Sequence, residues 1–186
     1  MHSPVAPKGR QKVAQGVSPG LSWMGDDEAP EGLHKSMPNT NTSLAYHIIF
    51  STKGRAPFIT SAIAPQLHAY LAGIIKNLHG VPIQIGGMPD HVHIVCRSKP
   101  GISISDMLRT IKASSSKWVN ETMQTPNRFA WQTGYGAFTI SESRLDSVVG
   151  YVKNQVEHHR TRTFQEEFIE FLERNKIAYN ERYLWE

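Results

Sequence analysis

Two short segments hold the residues whose types and spacing could support chemistry. PDHVHIV, residues 89–95, places His91 and His93 one residue apart, and YVKNQ, residues 151–155, contains Tyr151 and Gln155. Neutral imidazoles bind divalent metal ions, and an activated tyrosine hydroxyl is a nucleophile. Joint action of these groups requires the fold to bring the two segments together.

The paired histidines lie in a predicted strand, His91–Arg97. Side chains alternate between the faces of a strand, so His91 and His93 share one face and Val92 lies on the other. Residues at i and i+2 are roughly 6–7 Å apart, a spacing that suits one metal ion bound between two imidazoles. His-x-His pairs also occur in strands by chance, which leaves a structural role open.

Tyr151 and Gln155 lie in a predicted helix that Ser143 and Asp146 begin. A helix turns by about 100° per residue, so Tyr151 and Gln155 lie on one flank as i, i+4 neighbours at the edge of its buried face. A helix-flank tyrosine with its hydroxyl in water is the alternative. The apolar stripe that defines this face consists of Leu145, Val148, Val149, Val152 and Val156.

The remaining periodicity predicts the scaffold. The order β-α-β-β-α-β-α indicates an α+β fold of the ferredoxin-like or RRM-like type, an antiparallel four-stranded sheet with helices packed on it. Further strands are predicted at 44–52, at 81–85 and within 128–141, where Gly134 and Gly136 indicate a bulge or a bend, with a turn at 86–90. Further helices are predicted from Ser61 to His79 with Gly80 as its cap, from Ser103 with Asp106, and from Thr163 with Glu166.

Composition restricts the class of protein. The 186 residues suit one well-cored domain, and 39% hydrophobic with 19% charged residues is ordinary for a soluble protein. No window approaches the roughly 18 apolar residues of a membrane span. The single Cys96 excludes an intrachain disulfide, so a cytoplasmic location is expected. A net charge of +4 is compatible with a polyanionic partner.

Three segments divide the chain. Residues 1–42 show no periodicity and are expected to be a disordered tail, or sequence upstream of a true start at Met37. Residues 43–159 form the predicted functional domain, and residues 160–186 a C-terminal helical extension. Intact mass of the native protein would locate the start.

Taken together, the two segments resemble the motifs of a known family. PDHVHIV is similar to the metal motif of the insertion-sequence-200-like transposases, single-tyrosine members of the His-hydrophobic-His nuclease superfamily, with Val92 as the hydrophobic residue. YVKNQ is similar to their nucleophile helix. The motifs lie about 60 residues apart and in the family's order. FAWQTGYGAF and HHRTRTFQEEF resemble a subgroup that includes the repeat-associated transposases.

The resemblance implies a mechanism and a ligand set. His91, His93 and Gln155 would bind one divalent ion, Mg²⁺ or Mn²⁺, and Tyr151 would attack a phosphate of single-stranded DNA with hairpin ends. The product would be a 5′-phosphotyrosine, later attacked by a second 3′-OH without ATP. Free tyrosine has a pKa near 10, so only about 0.1% is phenolate at neutral pH and the metal must assist. Family dimers can exchange the tyrosine helix, whereas some relatives act as monomers, so a homodimer is one of two expectations.

Other polar residues are secondary candidates. A basic surface beside the site is expected to contact DNA phosphates through Arg55, Arg109, Lys112 and Lys117, although such residues are often only solvated helix charge. His47 could approach the site, and Asp90 could contact a metal-binding histidine. His158 and His159 could form a different metal site, but neighbouring helix residues diverge by about 100° and chelate poorly together.

Three alternatives remain open at this point. A host-adopted relative would use the same residues to cleave chromosomal repeats. A non-catalytic RRM-like binder would hold single-stranded nucleic acid without cleaving it. A metal hydrolase acting through bound water would need no tyrosine.

Overall fold

An antiparallel sheet of four strands carries the candidate residues in the computed structural model, which describes residues 41–123 and 127–185. The spatial order is β2-β3-β1-β4, and every neighbouring pair is antiparallel. This order confirms the predicted ferredoxin-like plan. The strands are β1 (Ala45–Ser51), β2 (Val81–Met88), β3 (His91–Arg97) and β4 (Gly136–Ile140). Apart from its last two residues, the predicted tail lies outside the described residues.

Helices cover both faces of the sheet. α1 and α2 bury their apolar sides against Ile48, Phe50 and Ile94 on one face. α3 packs on the opposite face against Val95, and α5 packs there against Ile49. The histidine face of β3 therefore lies under α3 to α5. The helices are α1 (Ala64–Asn77), α2 (Ile104–Thr122), α3 (Leu145–Lys153), α4 (Gln155–His158), α5 (Phe164–Arg174) and α6 (Glu181–Leu184).

Two predicted helix starts are confirmed and one predicted helix end is wrong. The Ser103 hydroxyl accepts a hydrogen bond from the Asp106 amide, and Thr163 and Glu166 form a capping box. At the end of α1, His79 rather than Gly80 takes the left-handed conformation, with φ 58°. Gly80 is needed for space, because a Cβ there would lie 2.9 Å from the Arg97 carbonyl oxygen.

The β2–β3 hairpin is tighter than predicted. β2 continues to Met88, so only Pro89 and Asp90 form the turn that was expected to span residues 86–90. Gly87 pairs with Val92 at φ 148°, where a side chain would collide with the His91 carbonyl. Glycine at this position therefore allows β2 to stay paired up to the first histidine.

The fourth strand is shorter than predicted. It begins at Gly136, where a Cβ would lie 2.8 Å from the Phe168 ring, so the glycine allows close contact with α5 and marks neither a bulge nor a bend within the strand. Gly134 precedes the strand. Trp131 makes only an isolated bridge with Thr52 and packs in the core.

The predicted third helix is interrupted. Residues 142–144 form a 3₁₀ turn, α3 starts at Leu145, and Ser143 makes no cap of the helix. α3 ends at Lys153, Asn154 caps it, and α4 begins at Gln155. The interruption turns Val156 away from the apolar stripe and leaves it 66% exposed, so its predicted burial is wrong. Among the described helices, none is both long and apolar enough to cross a membrane.

Candidate active site

His91 and His93 lie side by side on the inner face of β3, as predicted. Both side chains are buried, and their ring centroids are 5.1 Å apart. Val92 points into the core on the opposite face. Phe164 of α5 stacks on His91 with ring centroids 4.4 Å apart, so the C-terminal extension closes over the pair.

Each histidine of the pair is held through its Nδ1 atom. His91 Nδ1 lies 2.8 Å from the Asp90 carboxylate, an acceptor, so Nδ1 carries the proton. His93 Nδ1 lies 2.9 Å from Nε2 of His47, which is buried on β1. Partners at Nδ1 fix the orientation of an imidazole and leave Nε2 as the free nitrogen, as in metal-binding histidines. His47 therefore does reach the site.

Burial keeps two of these rings neutral. Burial, reinforced by the neighbouring His93, lowers the pKa of His47 from 6.5 to about 3. Burial also lowers the pKa of His93 to about 4, against the attraction of the nearby Glu167 carboxylate. At neutral pH both rings are uncharged and offer lone pairs.

Tyr151 and Gln155 meet at one acceptor although the helix breaks between them. The Tyr151 hydroxyl donates a hydrogen bond to Oε1 of Glu167, and Gln155 Nε2 donates to the same oxygen over 3.1 Å. Gln155 is buried, and its own Oε1 has no hydrogen-bond partner among the described residues. Their predicted flank position therefore leads into the site rather than to water.

Glu167 is the central residue that sequence reasoning missed. It lies in α5, 4% exposed, within a stripe formed by Phe164, Phe168 and Phe171. Burial alone would raise the pKa of this carboxyl, but His93, Tyr151 and Gln155 outweigh burial and hold the pKa well below its usual range. A signal was available, because an acidic residue on the apolar face of a helix is uncommon unless it is paired.

A compact group of metal-binding side chains results. Candidate ligand atoms of His91, His93, His159 and Glu167 all lie within 4.8 Å of one another. Oε2 of Glu167 lies 3.4 Å from His93 Nε2, 3.3 Å from His159 Nε2 and 4.0 Å from His91 Nε2. These four atoms are buried and make no hydrogen bond within the described part of the chain. The chemistry of the group suits a divalent ion.

The adjacent histidines at the end of α4, His158 and His159, diverge, as predicted. His159 joins the metal-binding group, with its ring 4.7 Å from that of His91. His158 instead packs on the ring of Tyr151 at 4.6 Å. The two histidines therefore do not chelate together, in agreement with their predicted divergence. The place of His159 depends on the turn after α4, which periodicity does not describe.

The Tyr151 hydroxyl is held protonated. Burial, followed by the hydrogen bond to Glu167, raises the pKa of Tyr151 above its usual value. A cavity of about 490 Å³ opens beside the ring and is lined in part by Arg144, Arg162 and Arg174. Deprotonation of Tyr151 would therefore require a group that compensates the negative charge, and the cavity offers a polar approach to the hydroxyl.

Three of the four candidate DNA contacts lie away from this group. Arg109, Lys112 and Lys117 belong to α2, on the sheet face opposite the imidazoles, so the expected position beside the site is wrong for them. Lys112 Nζ donates to the carbonyls of residues 132, 133 and 134. Arg55 follows β1, near the Asp90 turn.

Comparison with known sequences places this geometry in a family. The family model described as "Transposase IS200 like" matches residues 40–155. The chain is similar to the ISDra2 transposase TnpA of Deinococcus radiodurans, with 26% identity over 119 residues, 60% of this chain and 84% of that protein. It is also similar to the transposase for insertion sequence element IS200 of Salmonella typhimurium, with 23% identity over 134 residues, 69% and 88% of the two chains.

Solved structures give the same fold. A candidate transposase from Deinococcus radiodurans matches with a TM-score of 0.53 and 25% identity, over 65% of this chain and 97% of that one. A REP-associated tyrosine transposase, solved bound to a REP hairpin, matches with a TM-score of 0.51 and 12% identity over 67% and 74% of the chains, a likeness of fold alone. Since the family model spans well over half of the sequence, the chain belongs to the IS200-like transposase family and is a DNA transposase.

Proposed function

We propose that this transposase cleaves and rejoins single-stranded DNA through a covalent link to Tyr151, with one divalent ion held by His91, His93 and Gln155. The observation that carries the proposal is the hydrogen bond from the Tyr151 hydroxyl to Glu167, whose other oxygen lies 3.4 Å from His93 Nε2. A nucleophile and a metal-binding group within reach of one phosphate are what a transesterification requires.

The side chains present suit such an ion. Nε2 of His91, Nε2 of His93 and Oε1 of Gln155 are buried polar atoms without hydrogen-bond partners in the described chain. Leaving buried polar atoms unpaired costs about 1–3 kcal/mol each, so their convergence favours a bound cation. When bound, Mg²⁺ or Mn²⁺ would polarise the scissile phosphate and offset charge on the leaving 3′-oxygen.

Tyr151 carries the transfer in two exchanges. Its oxygen forms a bond to phosphorus while the P–O3′ bond breaks. The phenol loses its proton, and the departing 3′-oxygen gains one and becomes a 3′-OH. A second 3′-OH then attacks the phosphotyrosine and restores the tyrosine. Each exchange replaces one phosphodiester by another, so no nucleotide triphosphate is needed.

The position of Tyr151 supports a site built within one chain. The ring centroid of Tyr151 lies 6.1 Å from that of His93 in the same protein chain. No exchange of α3 between subunits is needed to bring the nucleophile to the imidazoles. We therefore infer a site assembled in cis, whether or not the protein dimerises.

The proposed substrate is a single strand whose ends carry hairpins. The REP-associated transposase of similar fold was solved with a hairpin bound. Three arginines line part of the cavity beside Tyr151, two of them paired with Glu170, and such a basic wall suits a phosphate backbone. Mobile-element and host-adopted roles use the same chemistry, and palindromes flanking the gene or scattered through the genome would tell them apart.

The test is adduct formation with hairpin-bearing single strands from the DNA that flanks the gene. With Mn²⁺, wild-type protein should form a denaturation-resistant protein–DNA adduct, and Tyr151→Phe should form none while still binding DNA. Tyr70→Phe is the matched control, because Tyr70 stacks on Trp118 in the opposite helical layer.

Three outcomes would overturn the proposal. Adducts formed by Tyr151→Phe would assign the nucleophile to another residue. Cleavage by Tyr151→Phe without any adduct would indicate a metal hydrolase. Binding without cleavage by the wild-type protein on its cognate strands would indicate a nucleic-acid-binding module.

A further inference from the structure

Two side chains of the metal-binding group lie beyond the part of the chain that the family model matches. The match ends at residue 155, whereas His159 follows α4 and Glu167 lies in α5. Both are nevertheless placed against the paired histidines of β3, with Oε2 of Glu167 3.3 Å from His159 Nε2 and 3.4 Å from His93 Nε2. The segment after residue 155 therefore contributes directly to the site.

The tautomer of His159 follows from its partner. Nδ1 of His159 lies 3.0 Å from the backbone carbonyl oxygen of Arg162. A carbonyl can only accept, so Nδ1 carries the proton and a neutral ring presents a lone pair at Nε2. His91 is in the same state, because its Nδ1 donates to the Asp90 carboxylate.

With their Nδ1 protons directed to these acceptors, the neutral rings of His91 and His159 turn lone pairs toward the centre of the group, and the contact of His93 Nδ1 with His47 fits the same tautomer. Three imidazole nitrogens and one carboxylate oxygen face one another, each buried and without a hydrogen-bond partner in the described residues. Lone pairs packed together in a low-dielectric interior repel unless a cation lies between them. The helical cover of α5 holds this arrangement through Phe164, which stacks on His91, and through the Thr163–Glu166 capping box.

We propose that His159 and Glu167 are metal ligands supplied by the C-terminal segment, which join the ligands proposed above and give a set of three imidazoles, one carboxylate and the Gln155 amide. This inference rests on the proposed function, because it extends the ion site of that reaction. The added ligands change which ion the site is expected to prefer. A nitrogen-rich set favours first-row transition ions such as Co²⁺ and Zn²⁺ over Mg²⁺, which prefers oxygen donors and retains its water.

Glu167 then links the ion to the nucleophile. Its Oε2 faces the imidazoles, while its Oε1 accepts hydrogen bonds from Tyr151 and Gln155. One carboxylate therefore fixes the distance between the tyrosine hydroxyl and the ion. Gln155 is oriented by the same oxygen, so loss of Glu167 would release both Tyr151 and Gln155.

Metal binding without DNA tests the inference. Untagged full-length protein, freed of metal with a chelator, is titrated with Co²⁺, whose visible absorption reports its coordination, and then with Mg²⁺. Wild-type protein should bind one Co²⁺ with an absorption band that excess Mg²⁺ does not remove. Glu167→Gln and His159→Asn should each weaken Co²⁺ binding by about tenfold or more and change the band, since even groups behind the ligands are worth 10–100-fold.

Matched substitutions on the same elements serve as controls. Glu170→Gln removes a carboxylate of α5 that pairs with Arg162 and Arg174, and His158→Asn removes the neighbouring ring that packs on Tyr151. Both should leave Co²⁺ affinity and the band unchanged. Circular dichroism of each apo protein verifies folding, and the two ligand variants lie on different segments, so misfolding of one leaves the other to decide.

The outcomes separate this inference from the proposed function. Unchanged Co²⁺ affinity and absorption in both ligand variants, or displacement of Co²⁺ by Mg²⁺ at similar concentration, overturns the inference even if Tyr151 adducts form. Weakened Co²⁺ binding in both variants sustains it even if the wild-type protein forms no adduct, in which case only the proposed reaction fails.

Discussion

Tyr151 and Glu167, sixteen residues apart in the chain, are joined by a hydrogen bond from the phenolic hydroxyl to Oε1 of the carboxylate. The first residue lies in α3 and the second in α5, so the contact connects the proposed nucleophile to the helix that covers the histidines. Movement of either helix relative to the sheet would separate the hydroxyl from the imidazoles.

The site is predicted to be complete in each chain. Mixing Tyr151→Phe protein with His91→Asn protein should give no DNA adduct, because every cis site then lacks one of its two groups. The measurement is a denaturing gel after co-refolding or subunit exchange, beside wild-type protein. Adducts in the mixture, at about a quarter of the wild-type level or more, would show that Tyr151 acts on the imidazoles of a partner subunit.

Gly86 is predicted to set the position of α3. A Cβ on Gly86 would lie 2.7 Å from the Val152 carbonyl oxygen and 3.2 Å from its side chain. Gly86→Ala should therefore push α3 from the sheet and lower the free energy of unfolding by about 1–3 kcal/mol, as overpacking does. Urea denaturation gives this value, and adduct formation should fall with it because Tyr151 precedes Val152.

The control for Gly86 is Gly73→Ala in α1. A Cβ on Gly73 has nothing within 4 Å, so alanine there should raise stability by about 0.5–1 kcal/mol through helix propensity. Equal effects of the two substitutions would contradict close packing of α3 on β2.

The metal-free protein is predicted to lose stability in mild acid. His47 and His93 have pKa values of about 3 and about 4 in the fold, below 6.5 for the exposed ring. Between pH 6.5 and 4 the unfolded chain binds more protons than the folded chain, so the free energy of unfolding falls as pH falls. Each ring contributes a slope of up to about 1.4 kcal/mol per pH unit.

Urea denaturation at pH 7 and pH 5, in the presence of a chelator, measures this slope. His47→Gln should reduce this slope by up to about 1.4 kcal/mol per pH unit, the share of one proton, because glutamine can still hydrogen-bond with His93 Nδ1 but does not titrate. The same slope in wild-type and variant proteins would mean that His47 is not held neutral in the fold.

Lys112 is predicted to stabilise the segment before β4. Its ammonium donates to the carbonyls of residues 132, 133 and 134, and burial lowers its pKa to about 8. Lys112→Ala should cost about 1–3 kcal/mol, because these carbonyls lose a charged donor. Lys117→Ala, at a 75% exposed side chain of the same helix, should change stability little. Similar losses in urea denaturation would contradict the structural role of Lys112.

Local patterns predicted the parts of the site that depend on chain-local geometry. Alternation along β3 placed His91 and His93 together, because a strand has a fixed period of two. The capping residues Ser103 and Thr163 marked the starts of α2 and α5 for an equally local reason. The prediction that Gly80 caps α1 was wrong because two different residues meet the two requirements at this helix end. His79 takes the left-handed conformation, whereas Gly80 is required by the close approach of the Arg97 carbonyl.

The rest of the site depends on long-range packing. The diagonal contact of His47 with His93 follows from the register that pairs Ile49 with His93, which no local pattern encodes. His159 reaches the group through the turn between α4 and α5. Glu167 is the exception, since an acidic residue among Phe164, Phe168 and Phe171 was visible as a buried charge that needed a partner.

Mass spectrometry of the covalent product tests the central claim most directly. Wild-type protein is incubated with a cognate hairpin-bearing single strand and Mn²⁺, then digested with nuclease and protease. A deoxynucleotide 5′-phosphate on the side chain of Tyr151 is the predicted result. The same remnant on any other residue, or cleaved DNA with no remnant on the protein, would contradict the account.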